Sequence, residues 1–470
     1  MNRTRATGPA ASTKQAGQAQ AKPKRRVAIT GVGAVTPLGN SAAGTWQGLA
    51  EGRSGVSALE TFDASTFPVR IAGQVKDFDP KSVASAKQRR HLSRAALFAL
   101  AAAQEAVADA GEGWGATDPY DRGVALAGTV GRPELQELVD MSHQLSTSDF
   151  HDLYRQAPGD VLLRNQNVGV SAVADAGNCR GPMVSVSTAC AGAAHAIGEA
   201  YRRIQEGECA QMLAGGFDAL TTWMDVLGFS LLGAITDRWN DQPERASRPF
   251  DSDRSGFVLG EGAVIAVLED WDSAVARGAR IHGELVGHGA SLNAYRITDS
   301  PPDGGGAISA MRDAVAESGL GVDGIDYIAA HGTSTPGNDA SETLAIEKLF
   351  GKHAHELCVS SPKSMTGHLT SAAAGVNLIA ALGALREGVV PPTINLDRPD
   401  PRLRLDYVPN RAVRRPVRAA LVNAFAFGGT NACFVVKAAA GAGASLTTSD
   451  GPSGRPVDGP SAGSSERRAA

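Results

Sequence analysis

In "VSVSTACAGAAHAIGEA", Val184 to Ala200, Cys190 sits among small residues where a strand-like run gives way to a helix-like one. A helix starting there would turn free N–H groups and a positive dipole end toward the sulfur, favouring a thiolate. Ala189, Ala191 and Gly192 leave room for a substrate and for backbone to approach. A cysteine flanked by alanines is also ordinary core filler, so this stretch alone leaves both readings open. Three other segments carry candidate groups. "YIAAHGTSTPGNDASE" places His331 directly after an apolar run, and "SSPKSMTGHLTSAAAGVN" does the same with Lys363 and His368. "LVNAFAFGGTNACFVV" sets Phe427, Gly428 and Gly429 between two apolar runs. Glycines there form a hairpin, or let backbone N–H groups face a reacting carbonyl oxygen. A cysteine and two histidines at strand-to-helix switches are what an open α/β sheet gathers at one edge.

The elements that must position these groups alternate along the chain: "RVAITGVGA", "SRAALFALAAAQEAVADAG", "GVALAGT", "VSVSTA" and "AGAAHAIGEAYRRIQEG". Strand-like runs alternating with alanine-rich helical ones predict an α/β layered fold. After Cys190, Ala193, Ala194, Ile197, Ala200, Tyr201 and Ile204 keep helical spacing, with Glu199, Arg202 and Glu206 opposite and Gly207 as the stop. A second strand and helix, "ELCVSSPKSMTGHLTSAAAGVNLIAALGALREG", ends similarly at Gly388, 181 positions later, and that offset sets Ser371 against Cys190. "VAITGVGA" and "GELVGHGA" each read as a strand running into a G-x-G-A turn. Together these similarities predict two similarly built halves. "GVGAV" has Thr36 where a dinucleotide fingerprint needs its third glycine, so a nucleotide site is not expected.

At 470 residues the chain can bury a large core, and its formal net charge of -4 leaves no general footprint for nucleic acid. The five cysteines include no C-x-x-C pair, which fits a reducing, cytoplasmic setting. No run of 18 apolar residues indicates a membrane span. "HAHE", His353 to Glu356, lacks further ligands, so no metal is expected. Cys433, within "ACFVV", reads as a packed strand residue. Residues 1–24 and 438–470 have the composition of disordered tails, leaving 25–280 as the half with the cysteine and 281–437 as the half with both histidines.

The segments "STACAG", "HGTSTPGND", "SPKSMTGH" and "NAFAFGGTN", in this order, closely resemble the β-ketoacyl-acyl carrier protein synthases of the elongating type, fatty-acid or type II polyketide. "SRPFDSDRSGFVLGEGA" and "VVPPTINLDRPDP" resemble further stretches of that family. The resemblance implies a thiolase-like five-layered αβαβα sandwich of two pseudo-twofold-related halves, usually dimeric. It implies a site of Cys190, His331 and His368 assisted by Lys363, with an oxyanion held by the N–H groups of Cys190 and Phe427. Lys363 is expected to orient His368 or its surroundings. Thr333 and Thr335, with Phe427 and Gly428, become candidates to bind the phosphopantetheine-borne substrate. The implied partners are an acyl carrier protein and a second subunit, identical or a related chain-length-controlling one. No cofactor or metal is implied.

"KQRRHLSR" offers Lys87, Arg89, Arg90 and Arg94 as a solvated helix start, or as a docking patch for an acidic carrier. The chain departs from its fatty-acid relatives at Asn377, where they usually have glutamate, at Ala426 in the glycine-rich motif, and at Asn293 and Arg296. Two rivals remain: a non-catalytic chain-length subunit, disfavoured by the presence of Cys190, and a thiolase or non-decarboxylating acyltransferase, disfavoured by His368.

Overall fold

A computed structural model describes residues 24–129 and 165–439, together with 135, 139, 140, 142, 143 and 146. The expected tails fall outside the described residues apart from 24, 438 and 439. Among the described residues, ten strands form the main sheet: β1 Val27–Val35, β2 Arg122–Ala127, β3 Met183–Val186, β4 Gln211–Ala219, β5 Glu261–Asp270, β6 Gly283–Leu292, β7 Tyr327–Ala329, β8 Cys358–Ser360, β9 Ala419–Phe425 and β10 Thr430–Lys437. They lie in the order β8-β7-β9-β10-β6-β1-β5-β4-β2-β3. Read outward from the central β1–β6 contact, the halves run β1-β5-β4-β2-β3 and β6-β10-β9-β7-β8, the same order twice.

The pairing senses repeat as well. β1–β5 and β5–β4 are antiparallel, as are β6–β10 and β10–β9, while β4–β2–β3 and β9–β7–β8 are parallel. The halves meet through an antiparallel contact of Val27 to Ile29 against Leu285 to Gly283.

The helices used below are α1 Arg94–Ala110, α2 Gln166–Ala176, α3 Gly192–Glu206, α4 Gly305–Ser318, α5 Pro336–Phe350 and α6 Ala373–Glu387. α1 and α2 cover one outer face, and α4 with α5 covers the other. Between the two half-sheets lie α3, packed on β4 and β2, and α6, packed on β9 and β7. This is the five-layered α/β sandwich. The predicted apolar face of α3 is buried from Ala193 to Ile204, each large apolar side chain contributing ~1.5–3 kcal/mol. α6 is buried almost all round, which suits a helix with sheet on both sides. Gly207 (φ 77°) and Gly388 (φ 60°) end these two helices in the left-handed conformation.

The G-x-G-A segments are not turns. Gly31 and Gly33 lie inside β1, and Gly287 and Gly289 lie inside β6. A Cβ on Gly33 would sit 2.0 Å from Ala102 O of α1, and one on Gly289 2.2 Å from Ala310 O of α4. The glycines let a helix backbone lie directly on the strand, once per half. That close approach produces the repeated pattern in the sequence.

Candidate active site

Cys190 follows β3 in a short 3-10 turn, Ala189–Ala191, that feeds α3. Ala189 takes φ 46°, a left-handed conformation that costs an alanine about 1 kcal/mol. The equivalent turn after β8, Thr370–Ala372, repeats this geometry with Thr370 at φ 44°, so Ser371 is the structural counterpart of Cys190. α3 has no side-chain cap at its N-terminus, which leaves backbone donors for a ligand. Burial pushes the Cys190 thiol up to about 12, against the lowering effects of the Lys363 charge and the N–H groups of Cys190 and Phe427. The thiolate expected from the helix dipole is therefore not the resting form, because desolvation outweighs the favourable field. The same two N–H groups favour negative charge at the sulfur, and an oxyanion hole would need donors of that kind.

His331 ends the run after β7 and is buried, with its N–H donating to Glu342 Oε1 at 2.8 Å. The next N–H, of Gly332, donates to Glu342 Oε2 at 2.8 Å. Lys363 Nζ donates to His331 O at 2.6 Å and lies 3.4 Å from His331 Nδ1. The lysine therefore orients His331; its charge reaches His368 without a hydrogen bond. At His368, Nδ1 accepts the Thr370 N–H at 3.2 Å. Both Nδ1 atoms thus face donors, which places the proton of each neutral ring on Nε2. The two rings meet edge to face with centroids 5.4 Å apart.

Burial lowers the pKa of both histidines well below the usual imidazole value, with Lys363 lowering both and His368 further lowering His331. Both are neutral Nε2–H donors at physiological pH. Lys363 is itself lowered to about 8 by burial, opposed by Glu342, Cys190 and Asp339.

Cys190, His331 and His368 line one cavity of about 330 Å³, together with Thr333, Thr335 and Phe427. Thr333 and Thr335 share a hydroxyl contact of 2.9 Å, and Thr335 also caps α5. Phe427 tops the β9–β10 hairpin, so the turn and the N–H donor are one device. Within it, the Ala426 N–H donates to Thr430 O at 2.8 Å and the Gly429 N–H to Ala426 O at 3.0 Å. Gly428 is exposed and gives its N–H to Ile297 O instead of lining the cavity. Asn293 reaches the cavity wall and receives the Asn431 amide at 2.8 Å, while Arg296 is an exposed partner of Asp299.

The basic segment divides. Lys87 and Arg90 are exposed, and Arg89 bonds Ala84 O at 2.5 Å. Arg94 forks onto the fully buried Glu261 at 2.6 and 3.0 Å, so its charge chiefly neutralises an interior carboxylate. Asn377 directs its amide nitrogen at three carbonyls, Ala329, Ala330 and Asn423, at 3.0 to 3.3 Å. Cys433 is buried in β10 with Sγ 3.3 Å from Asn423 Oδ1. His195 contacts Thr188 and Ala191 O behind the Cys190 turn and does not line the cavity.

Sequence reasoning missed the acidic pair beneath His331. Asp339 accepts the Thr333 N–H at 3.0 Å and Glu342 holds His331, so i and i+3 carboxylates on α5 fix the whole loop. Their spacing after His331 was the available signal. Phe257, edge-on to His368 at 5.3 Å, lay within the family-like "SRPFDSDRSGFVLGEGA".

The chain is similar to known proteins over most of its length. The models "Beta-ketoacyl synthase, N-terminal domain" and "Beta-ketoacyl synthase, C-terminal domain" match residues 24–274 and 282–397. The chain is 42% identical over 414 residues to the 3-oxoacyl-[acyl-carrier-protein] synthase 2 of Synechocystis sp., covering 88% of this chain and 98% of that one. It is 40% identical, at the same coverage, to the Coxiella burnetii protein of that name. Among solved structures, the ishigamide ketosynthase/chain length factor aligns with TM-score 0.80 and 34% identity over 88% of this chain and 100% of that chain. A type II polyketide ketosynthase in complex with its acyl-carrier protein aligns with TM-score 0.79 and 31% identity at the same coverage. Both halves of the chain, and the turns that carry Cys190, His331 and His368, fall within these matches, and the chain belongs to the β-ketoacyl synthase family.

Proposed function

We propose that the chain catalyses decarboxylative Claisen condensation, joining an acyl group carried on Cys190 to a malonyl unit on an acyl carrier protein, in fatty-acid or type II polyketide elongation. The observation that carries this reading is the pair of neutral histidines, each with Nδ1 engaged and Nε2–H left for the cavity that Cys190 shares.

Cys190 attacks the acyl thioester, and its proton passes to the departing phosphopantetheine thiolate. The N–H groups of Cys190 and Phe427 hold the tetrahedral oxyanion. The carbon–carbon bond to the malonyl carboxylate then breaks, carbon dioxide leaves, and His331 and His368 donate to the enolate oxygen. The enolate carbon attacks the acyl carbonyl, the Cys190 thiolate departs, and solvent returns its proton. The product is a 3-oxoacyl thioester two carbons longer. The reaction balances without a metal or other cofactor.

Thr333 and Thr335 suit the phosphopantetheine arm, and Lys87 and Arg90 an acidic carrier. An edge strand, β3, with Met183 47% exposed, suits pairing with an identical or related subunit. Among the described residues no helix is long and apolar enough to cross a membrane, which fits a cytoplasmic enzyme. Purified protein given acyl- and malonyl-carrier substrates yields the 3-oxoacyl product, and Cys190→Ala abolishes it. Equal product from the variant refutes the proposal.

A further inference from the structure

The strand β4 ends beside the turn that follows His368. Gly216 pairs with Ala127, the last residue of β2, and Asp218 lies two residues further on. In the other half Val422 pairs with Ala329, the last residue of β7, and two residues on is Ala424, from which the chain reaches Phe427. The matching strand ends therefore approach matching turns: one delivers the Phe427 N–H beside Cys190, the other delivers Asp218 beside Ser371. The Asp218 carboxylate is buried and accepts the Ser371 N–H at 3.2 Å, the equivalent of the Cys190 N–H. It also accepts the hydroxyls of Thr129, at 2.5 Å, and of Thr370. A carboxylate thus occupies the site that serves an oxyanion in the other half.

Thr370 links this carboxylate to the reaction. Its hydroxyl is anchored on Asp218, its backbone stands at φ 44°, and its N–H fixes His368 Nδ1 as an acceptor. A β-branched residue is strained in that conformation and needs a local anchor to hold it. Gly216 has no room for a side chain, since a Cβ there would lie 2.2 Å from Ser371 O, so β4 presses directly on the turn.

We propose that Asp218 is a positioning residue for the decarboxylation step, holding the Thr370 turn so that His368 keeps its Nε2–H tautomer. The inference rests on the reading of His368 as an enolate donor. Every group bonded to Asp218 is a donor, so an asparagine there must oppose one of them with its own NH₂.

The test uses the full chain and separates two half-reactions: acyl transfer to Cys190, followed by mass spectrometry, and malonyl-dependent release of carbon dioxide. Asp218→Asn is expected to lower kcat for carbon dioxide release at least about ten-fold, with KM for the malonyl carrier changed less than about two-fold and acylation not slowed. ¹⁵N spectra of the His368 ring are expected to change from a single Nε2–H tautomer to a mixture. Thr370→Ser, which retains the hydroxyl, is expected to keep the single tautomer, and Thr370→Val to lose it, so the proposal stays testable if Asp218→Asn does not fold. Unchanged carbon dioxide release, or parallel loss of acylation and release with an unaltered tautomer, would overturn it. His368→Ala tests the underlying reading separately: decarboxylation that survives in that variant removes the enolate role whatever Asp218 does.

Discussion

Lys363 Nζ stands 2.6 Å from His331 O and 3.4 Å from His331 Nδ1, so one ammonium group fixes both the backbone and the ring of the same histidine. Its charge also disfavours protonation of His331 and His368, which keeps both as neutral donors. Three consequences of this site, and one of the fold that carries it, can be measured.

Lys363 titrates near 8. As the pH rises through that value the lysine gains a lone pair, and His331 can turn its proton onto Nδ1 and lose an Nε2–H donor. Carbon dioxide release should fall on the alkaline side of about pH 8, and Lys363→Met should abolish that limb while lowering the rate ~10–100-fold. Without the lysine charge the histidine pKa values rise, so the variant should also lose activity sooner on the acid side. A pH–rate profile from about pH 5.5 to about 9.5 checks both limbs.

Cys190 rests as a thiol, its pKa raised by burial to about 12. Alkylation by iodoacetamide should therefore accelerate by close to ten-fold per pH unit from about pH 6 to about 10. A plateau below about pH 8 would show a resting thiolate instead.

The hairpin glycines separate strain from collision. Gly428 (φ 84°) has open space around a hypothetical Cβ, whereas one on Gly429 (φ 81°) would lie 3.0 Å from Asn293 Cβ. Gly428→Ala should lower stability by about 1 kcal/mol. Gly429→Ala should do the same and, by moving the Phe427 N–H, slow acylation about ten-fold or more. Urea denaturation and acylation kinetics on both variants distinguish the two effects.

The equivalence of the halves predicts equivalent weak points. Gly33→Ala and Gly289→Ala each force a methyl group into a helix carbonyl, so each should destabilise by about 3 kcal/mol or more, seen as a shifted urea midpoint.

Much of this was legible in the sequence because it is local. The Gly207 and Gly388 stops, the apolar stripe of α3 and the offset that paired Cys190 with Ser371 all record backbone geometry within one element and its cap. The G-x-G-A segments were visible but misread, since a glycine needed for close helix packing looks the same as one needed for a turn. The state of Cys190 was missed because burial, a tertiary property, outweighs the dipole that sequence position suggests. Asp218 carried no local signal at all, for its partners Thr129, Thr370 and Ser371 come from both halves.

The central claim is that Cys190 holds the growing chain while His331 and His368 promote loss of carbon dioxide from the incoming unit. Mass spectrometry of the protein incubated first with an acyl-carrier thioester, then with malonyl carrier, tests it most directly. The predicted sequence is an acyl adduct on the peptide containing Cys190, then its disappearance together with a 3-oxoacyl-carrier product two carbons longer. An adduct on any other residue, or a product formed without one, would contradict the account.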